Sequence, residues 1–376
     1  MLVAGEVSGD LHGAHLMEAI CSIDPDIQFF GIGGERLRKA GMKLLFHSQS
    51  LAVVGITEVF SKMRSILKAF RGVKQSLDRE KPDLVILIDF PDFNLRLAKI
   101  AHRKGIPVLY YISPQVWAWR AKRVNLIARC VKKMVVLFPF EIPFYEAAGV
   151  DVEWVGHPLL DIVRATLSRE VACQRFGLNP KQKTIALLPG SRRDEVKRLL
   201  PSLLATAQLL RKEIPDLQFV LPLAPGIDQK TLSPCMKALP IPVKVVEGAT
   251  YEVMNLSDLL ITASGTATLE AAILGKPMVI VYKVSFFSYW IGRALIQVDF
   301  IGLVNLVAGR GVVPELIQKD VYPQKIAEEA LRILRDPTLT RRMIESMAGV
   351  RQELGKPGAA YRTARIVYSM LHEREE

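Results

Sequence analysis

Leu187-Leu188-Pro189-Gly190-Ser191-Arg192-Arg193 and Ala263-Ser264-Gly265-Thr266-Ala267-Thr268-Leu269-Glu270 are two small-residue stretches in the second half of the chain. Each follows an apolar run of strand character, Thr184 to Leu188 and Asp258 to Thr262, and each opens a helical pattern. Strand, glycine turn and helix repeated in this way predict an α/β fold with parallel sheets. Both turns then sit at the carboxyl ends of strands in one sheet, where open α/β sheets bind ligands. Unpaired N–H groups at a helix start favour an anion such as a diphosphate. Arg192 adds a planar fork that matches phosphate oxygens. Glu270, about one helical turn further on, can accept from paired ribose hydroxyls. Gly190, Ser191, Arg192, Ser264, Gly265, Thr266 and Glu270 together predict a sugar-nucleotide site. Either loop alone reads more simply as a tight turn with glycine and serine as turn and cap residues. The pairing of an arginine in one with a glutamate in the other carries the functional reading. Neither is a Walker loop, because Gly190 lacks the spacing to a Gly-Lys-Ser/Thr.

Working outward, strand and helix alternate along the whole chain. Strands are expected at Leu2 to Ala4, Ile27 to Gly31, Leu84 to Ile88, Val108 to Ile112 and Met134 to Leu137, with helices at Leu11 to Ile20, Thr57 to Leu77 and Leu95 to Lys104. The pattern pauses at Val155-Gly156-His157-Pro158, which fits a crossover between domains. It restarts with strands at Thr184 to Leu188, Leu217 to Leu221, Val243 to Val246, Leu259 to Thr262 and Met278 to Val281. Helices from Tyr322 to Leu334 and Pro337 to Leu354 follow, and Lys356-Pro357-Gly358 sets off a last helix to His372. The expected division is residues 1–156, 157–355 and 356–376: two Rossmann-like parallel-sheet halves with a cleft between their carboxyl ends, then a final helix. A dinucleotide-binding enzyme is the runner-up fold reading. Gly31-Ile32-Gly33-Gly34-Glu35-Arg36 resembles a glycine fingerprint, but Arg36 stands where the third glycine belongs.

At 376 residues the chain can bury two cores, and with half its residues hydrophobic it is not a disordered segment. Its net charge of +12 favours anionic partners. The basic residues are dispersed and no stacking aromatics accompany them, which argues against nucleic acid. Cys21, Cys130, Cys173 and Cys235 form no C-x-x-C pair and read as reduced thiols of a cytosolic protein. The N-terminus reads as a very short strand rather than a signal peptide, so a few preceding residues are expected to complete it. No apolar run is long enough to span a bilayer. The six histidines show no metal-ligand spacing, so neither a metal nor another cofactor is expected.

Four further segments carry candidate chemistry. The first turn, Ala4-Gly5-Glu6-Val7-Ser8-Gly9-Asp10, gathers acids, a hydroxyl and glycines at a strand end. Ser8 or Asp10 can cap the helix, but that accounts for one polar residue, so Glu6, Ser8 and Asp10 are read as facing a substrate. In Ile88-Asp89-Phe90-Pro91-Asp92, a buried strand ends at Asp89, while Asp92 can cap the next helix. Asp89 is either a satisfied strand-end carboxylate or a general base aimed at an alcohol as its new C–O bond forms. Ser113-Pro114-Gln115-Val116-Trp117-Ala118-Trp119-Arg120 offers aromatics for an acyl chain or sugar ring, with core filling as the alternative for Trp119. Asn305, in Asn305-Leu306-Val307-Ala308-Gly309, binds phosphate or ribose or is simply a turn residue. His157 reads as a local hydrogen-bonding group.

Val59, Met63, Ile66, Phe70, Val73 and Leu77 recur at helical spacing, with Lys62, Arg64, Lys68, Arg71 and Lys74 around the remaining circumference. A basic amphipathic helix of this kind can lie on an anionic membrane, or it can be a surface helix with its stripe in the core. Phe286-Phe287, Tyr289 and Trp290 add a second apolar patch.

Taken in order, Ala4 to Asp10, Gly55 to Val59, Ile88 to Asn94, Ser113 to Arg120, Val155 to Pro158, Leu187 to Arg192, Ala263 to Glu270 and Asn305 to Gly309 resemble the lipid-A-disaccharide synthase family. The resemblance implies an inverting, metal-independent glycosyltransferase of GT-B type. Its reaction joins UDP-2,3-diacylglucosamine to 2,3-diacylglucosamine 1-phosphate (lipid X), releasing UDP and a β-1,6-linked disaccharide. It also implies that the C-terminal half holds the nucleotide through Arg192, Glu270 and Asn305, and that Asp89 is the base. Glu6, Ser8, Asp10 and Trp117 then serve the acceptor, and the last helix crosses back to the N-terminal half. The implied location is the cytoplasm, peripheral to the inner face of the inner membrane, with a homodimer allowed for. A lipid-linked GlcNAc transferase, a UDP-GlcNAc 2-epimerase and a non-catalytic sugar-nucleotide binder are the alternatives. The first lacks here its longer glycine-rich N-terminal loop, the second needs no lipid patch and the third needs no Asp89.

Overall fold

The computed structural model describes residues 1–48, 56–114, 116, 121–224, 226–238, 241–284 and 299–372. Trp117, Trp119, Arg120, Gly55 and the Phe286 to Trp290 patch lie outside the described residues. The chain divides into two compact units, Met1–Pro158 with Leu354–Glu376, and Leu159–Glu353.

In the first unit the elements are β1 (Leu2–Ala4), α1 (Val7–Ile23), β2 (Phe30–Gly33), α2 (Glu35–Lys39), β3 (Lys43–His47), α3 (Ile56–Glu80), β4 (Val85–Ile88), α4 (Pro91–Arg103), β5 (Val108–Tyr111), α5 (Val124–Cys130), β6 (Lys133–Val136), α6 (Ile142–Glu146) and β7 (Val152–Trp154). Among the described residues these strands make one parallel sheet, ordered β3-β2-β1-β4-β5-β6-β7. Its central strands are apolar throughout because helices cover both faces, and β1, β4 and β5 are completely buried. Val3, Ile32, Leu87, Tyr110 and Val136 meet in the core on one side. On the other side α1 lies close to the sheet because Gly13 has no side chain: a Cβ there would come within 3.0 Å of Ile88 and 3.2 Å of Leu37.

The second unit runs α7 (Leu159–Ile162), α8 (Arg169–Phe176), β8 (Thr184–Leu188), α9 (Arg193–Glu213), β9 (Gln218–Leu223), α10 (Gln229–Ala238), β10 (Val243–Glu247), α11 (Thr250–Leu256), β11 (Leu259–Ala263), α12 (Thr266–Ile273), β12 (Met278–Tyr282), α13 (Leu303–Ala308), β13 (Glu315–Ile317), α14 (Pro323–Arg335) and α15 (Pro337–Glu353). Its described strands form a second parallel sheet, β10-β9-β8-β11-β12-β13. The last helix, α16 (Ala359–His372), belongs to the first unit and packs on α1.

Three strands went unforeseen: β3, β7 and β13. Each is the outermost strand of its sheet and none is fully buried, so each lacks the continuous apolar run that marks a central strand. α1 begins at Val7 rather than Leu11, since Gly9 and Gly13 thin its apolar period. The glycines that resembled a dinucleotide fingerprint have packing roles. Gly31 lets the Leu2 carbonyl approach where a Cβ would stand 1.9 Å away, and Gly34 lies against the Asp10 carboxylate. No described helix is long and apolar enough to cross a membrane.

Candidate active site

The two glycine turns leave neighbouring strands. β8 and β11 pair in parallel with Thr262 opposite Leu188, so the turns at Gly190 and Ser264 emerge side by side from one sheet edge, about 5 Å apart at their strands. At the first turn Gly190 has φ +111°, and a Cβ there would come within 2.5 Å of the Glu195 carboxylate. The missing side chain lets Glu195 fold back over the start of α9. Its Oε2 accepts from the Arg192 backbone N–H at 3.4 Å and its Oε1 from the Arg192 guanidinium at 3.0 Å. Glu195 escaped the sequence reading, although a glutamate three residues after a cap position is the signal for this arrangement. Ser191 and the Arg192 side chain remain exposed at the edge.

At the second turn Ser264 Oγ donates to the Ile301 carbonyl at 2.9 Å, and Thr268 Oγ1 donates to Gly265 O at 2.8 Å. Gly265 precedes α12, whose first residue, Thr266, is exposed. One turn on, Glu270 accepts from the Tyr251 hydroxyl at 3.3 Å. Burial of its carboxyl outweighs that bond and pushes its pKa up to about 7.

Asn305 does not lie open to a ligand. It is fully buried, its amide donates to Val313 O at 2.9 Å and Glu315 Oε1 at 2.7 Å, and its oxygen accepts from Val312 and Val313 N–H at 2.8 and 3.0 Å. All its hydrogen-bonding capacity is used in holding α13 to β13, which corrects its assignment to the nucleotide.

In the first unit β1 and β4 are also neighbours, with Ala4 opposite Ile88, so the Gly5-Glu6 and Asp89-Phe90 turns share an edge. Asp89 and Phe90 both take left-handed backbone, φ +44° and +50°. Such geometry costs of order 1–3 kcal/mol per non-glycine residue and persists only where surroundings enforce it. Here the Asp89 carbonyl accepts from Asn94 Nδ2 at 2.7 Å and from the Tyr110 hydroxyl at 2.6 Å. The Phe90 ring rests against Gly5, where a Cβ would lie 2.4 Å from it. The half-buried Asp89 side chain is thus carried on a distorted turn clamped by buried groups. Asn94, Tyr110 and Gly5 were not singled out from sequence for this role. Asp92 pairs with Arg123 instead of capping α4, whose cap position is Phe90.

Glu6 occupies the cap position of α1 with no side-chain capping bond, and Ser8 is exposed beside it. Asp10 departs from the substrate-facing expectation. It is buried, and its carboxylate accepts from the backbone N–H groups of Gly34 at 2.6 Å, Arg36 at 3.0 Å and Leu37 at 3.2 Å. It therefore caps α2 and ties that helix to α1. Buried Glu141 ties the β5 and β6 ends in a similar way, accepting from Ser113 Oγ and from Leu137 and Phe138 N–H. His157 is buried and neutral, with a pKa lowered to about 3 by desolvation and by His12, and its backbone N–H donates to Leu354 O at 2.8 Å. Among the described residues no group of three or more His, Cys, Asp or Glu could hold a metal.

A family model described as lipid-A-disaccharide synthetase matches residues 1–360. The lipid-A-disaccharide synthase of Geobacter sulfurreducens is 50% identical over 99% of this chain and 97% of its own length. That of Syntrophus aciditrophicus is 50% identical over 100% of this chain and 98% of its own. The chain belongs to the lipid-A-disaccharide synthase family. Members of this family are glycosyltransferases, and the two Rossmann-like sheets are those of the GT-B class. The UDP co-structure of MnaA from S. aureus superposes with TM-score 0.69 at 15% identity, covering 100% of this chain and 97% of that one. CalG4, the calicheamicin glycosyltransferase, gives 0.62 at 16% identity, covering 100% and 97%. At these identities the likeness is one of fold.

Proposed function

We propose that the chain transfers 2,3-diacylglucosamine from its UDP form to the 6′-hydroxyl of 2,3-diacylglucosamine 1-phosphate, with inversion. The observation that carries the site assignment is the emergence of the Arg192 and Glu270 turns from adjacent strands. The start of α9 and the Arg192 fork meet the diphosphate, Ser191 and the Ser264-Gly265-Thr266 turn line its approach, and Glu270 accepts from ribose hydroxyls. UDP in a fold neighbour supports a nucleotide site in this class of fold. In one displacement the acceptor oxygen attacks the anomeric carbon, the bond from that carbon to the diphosphate oxygen breaks, and the acceptor proton passes to Asp89. A carboxylate is a weak base toward an alcohol, so its proton transfer belongs late, as the C–O bond forms. Charge on the departing UDP is met by helix-start N–H groups and Arg192, a preorganised electrostatic role. Glu6 and Ser8 face the acceptor.

The basic α3 helix supports peripheral docking on an anionic membrane, where both lipid substrates reside. Charge reversal at Lys68 and Arg71 is expected to abolish co-sedimentation with anionic vesicles; unchanged co-sedimentation contradicts docking through α3. The activity itself is tested by incubating the chain with both substrates and detecting products by mass. A tetra-acyl disaccharide monophosphate together with UDP is the expected outcome. UDP release without the disaccharide, or no turnover, overturns the reading.

A further inference from the structure

The first unit carries a groove of about 520 Å³ between β3 and the exposed side of α3, lined by Phe46, Arg64, Leu67, Lys68, Arg71 and Gly72, among others. Its shape comes from Gly72: a Cβ there would stand 2.5 Å from the Phe46 ring, so the ring lies directly against the helix backbone. Leu67, 44% exposed, continues the apolar surface. Arg64, Lys68 and Arg71 follow i, i+4, i+7 spacing, which sets three cations along one stripe over about 10 Å of helix. Like charges at this spacing repel. None of the three has an ion-pair partner among the described residues, while the acids at the far end of α3, Asp78 and Glu80, pair with Lys104 and Arg79. No carboxylate is among the described residues that line the groove.

Apolar surface beside three cations in one groove fits an amphiphile whose head bears more than one negative charge. A phosphomonoester, near −2 at neutral pH, matches better than a singly charged phosphodiester, and two of the three cations are arginines, whose forks bind phosphate oxygens bidentately. Phe46 lies near the carboxyl end of β3, on the sheet edge that carries Asp89 three strands away, a span of about 14 Å. The geometry points to this groove as the subsite for the 1-phosphate of the acceptor, with Phe46 and Leu67 against its lipid part. This rests on the acceptor named above and adds the residues that select its phosphorylated form.

The test is equilibrium binding of 2,3-diacylglucosamine 1-phosphate to the full chain in neutral-detergent mixed micelles, a readout independent of turnover. Arg64→Gln with Arg71→Gln is expected to raise Kd at least tenfold for this lipid and less than threefold for its dephosphorylated form. Lys74→Gln, an exposed cation of the same helix outside the groove, is expected to stay within twofold of wild type. Phosphatidylglycerol, which loses only the general attraction of the basic helix, is expected to bind the double variant less than threefold more weakly than wild type at the same mole fraction. An unchanged Kd, equal losses with and without the phosphate, an equal loss in Lys74→Gln, or an equal loss toward phosphatidylglycerol each overturns the assignment. Selective phosphate-dependent binding in a chain that makes no disaccharide supports the subsite while overturning the transferase reading.

Discussion

Glu270 is held where its carboxyl loses much of its hydration, so that its proton leaves near neutral pH. If the ionised form accepts from ribose hydroxyls, nucleotide affinity must follow its titration. UDP binding is expected to strengthen as pH rises from 6 to 8, with the loss approaching tenfold per pH unit below about 7. Glu270→Gln should bind more weakly at pH 8 and lose most of this dependence; a wild-type profile in the variant would remove Glu270 from the site. The same shift has a stability consequence of definite sign. An acid whose folded pKa exceeds its unfolded value near 4.3 stabilises the fold while protonated and loses that contribution as pH rises toward 7. In thermal unfolding, Glu270→Gln should therefore be more stable than wild type at pH 8 and not at pH 4. Residue identity alone offers Arg192, Glu270 and Asp89 as candidates, and their roles stand as proposals. It misassigned Asp10 and Asn305, because an acid that caps α2 from 24 residues away looks in sequence like any acid at a strand end.

At the scale of the element, the first candidate turn depends on what glycine omits. Gly190 combines left-handed backbone with the close approach of Glu195, so a methyl group there adds strain and displaces the carboxylate. Gly190→Ala is expected to weaken UDP binding at least tenfold, measured calorimetrically, and to lower the melting temperature by a few degrees. Binding within twofold of wild type would show that the turn does not shape the site. Central strands, both glycine turns and the longer helices were legible because burial on two faces leaves a continuous apolar run and helix burial leaves a 3.6-residue period. Edge strands β3, β7 and β13 were not, since half-exposed backbone tolerates Lys43, Glu153 and Glu315. The distorted Asp89-Phe90 turn was also invisible, because its clamps, Asn94 and Tyr110, act through a backbone carbonyl rather than through a motif.

At the scale of the whole molecule, the chain leaves the first unit after Pro158 and re-enters it at Leu354. The two crossings are stapled within that unit. Arg362, on α16, donates from Nε and Nη2 to Val155 O at 2.9 and 2.6 Å, from Nη2 to Lys356 O at 2.6 Å and from Nη1 to Pro357 O at 2.9 Å. Gly156 and Gly355 take left-handed backbone beside this cluster, and Gly355 lies against the Trp154 ring. Losing the guanidinium leaves several carbonyls without their charged donor. Arg362→Met is expected to cost about 2–4 kcal/mol in urea unfolding of the chain, whereas a change below ~0.5 kcal/mol, the range of an ordinary surface substitution, would mean that the staple is not structural.

Proton transfer from the acceptor hydroxyl to Asp89 is the central proposed step, and the decisive measurement is the rate of disaccharide formation by Asp89→Asn at saturating concentrations of both lipids. The amide keeps the size and the clamped turn but cannot accept that proton, so the rate should fall by about 10²–10⁴-fold with donor affinity unchanged. A rate within a few-fold of wild type would contradict the account.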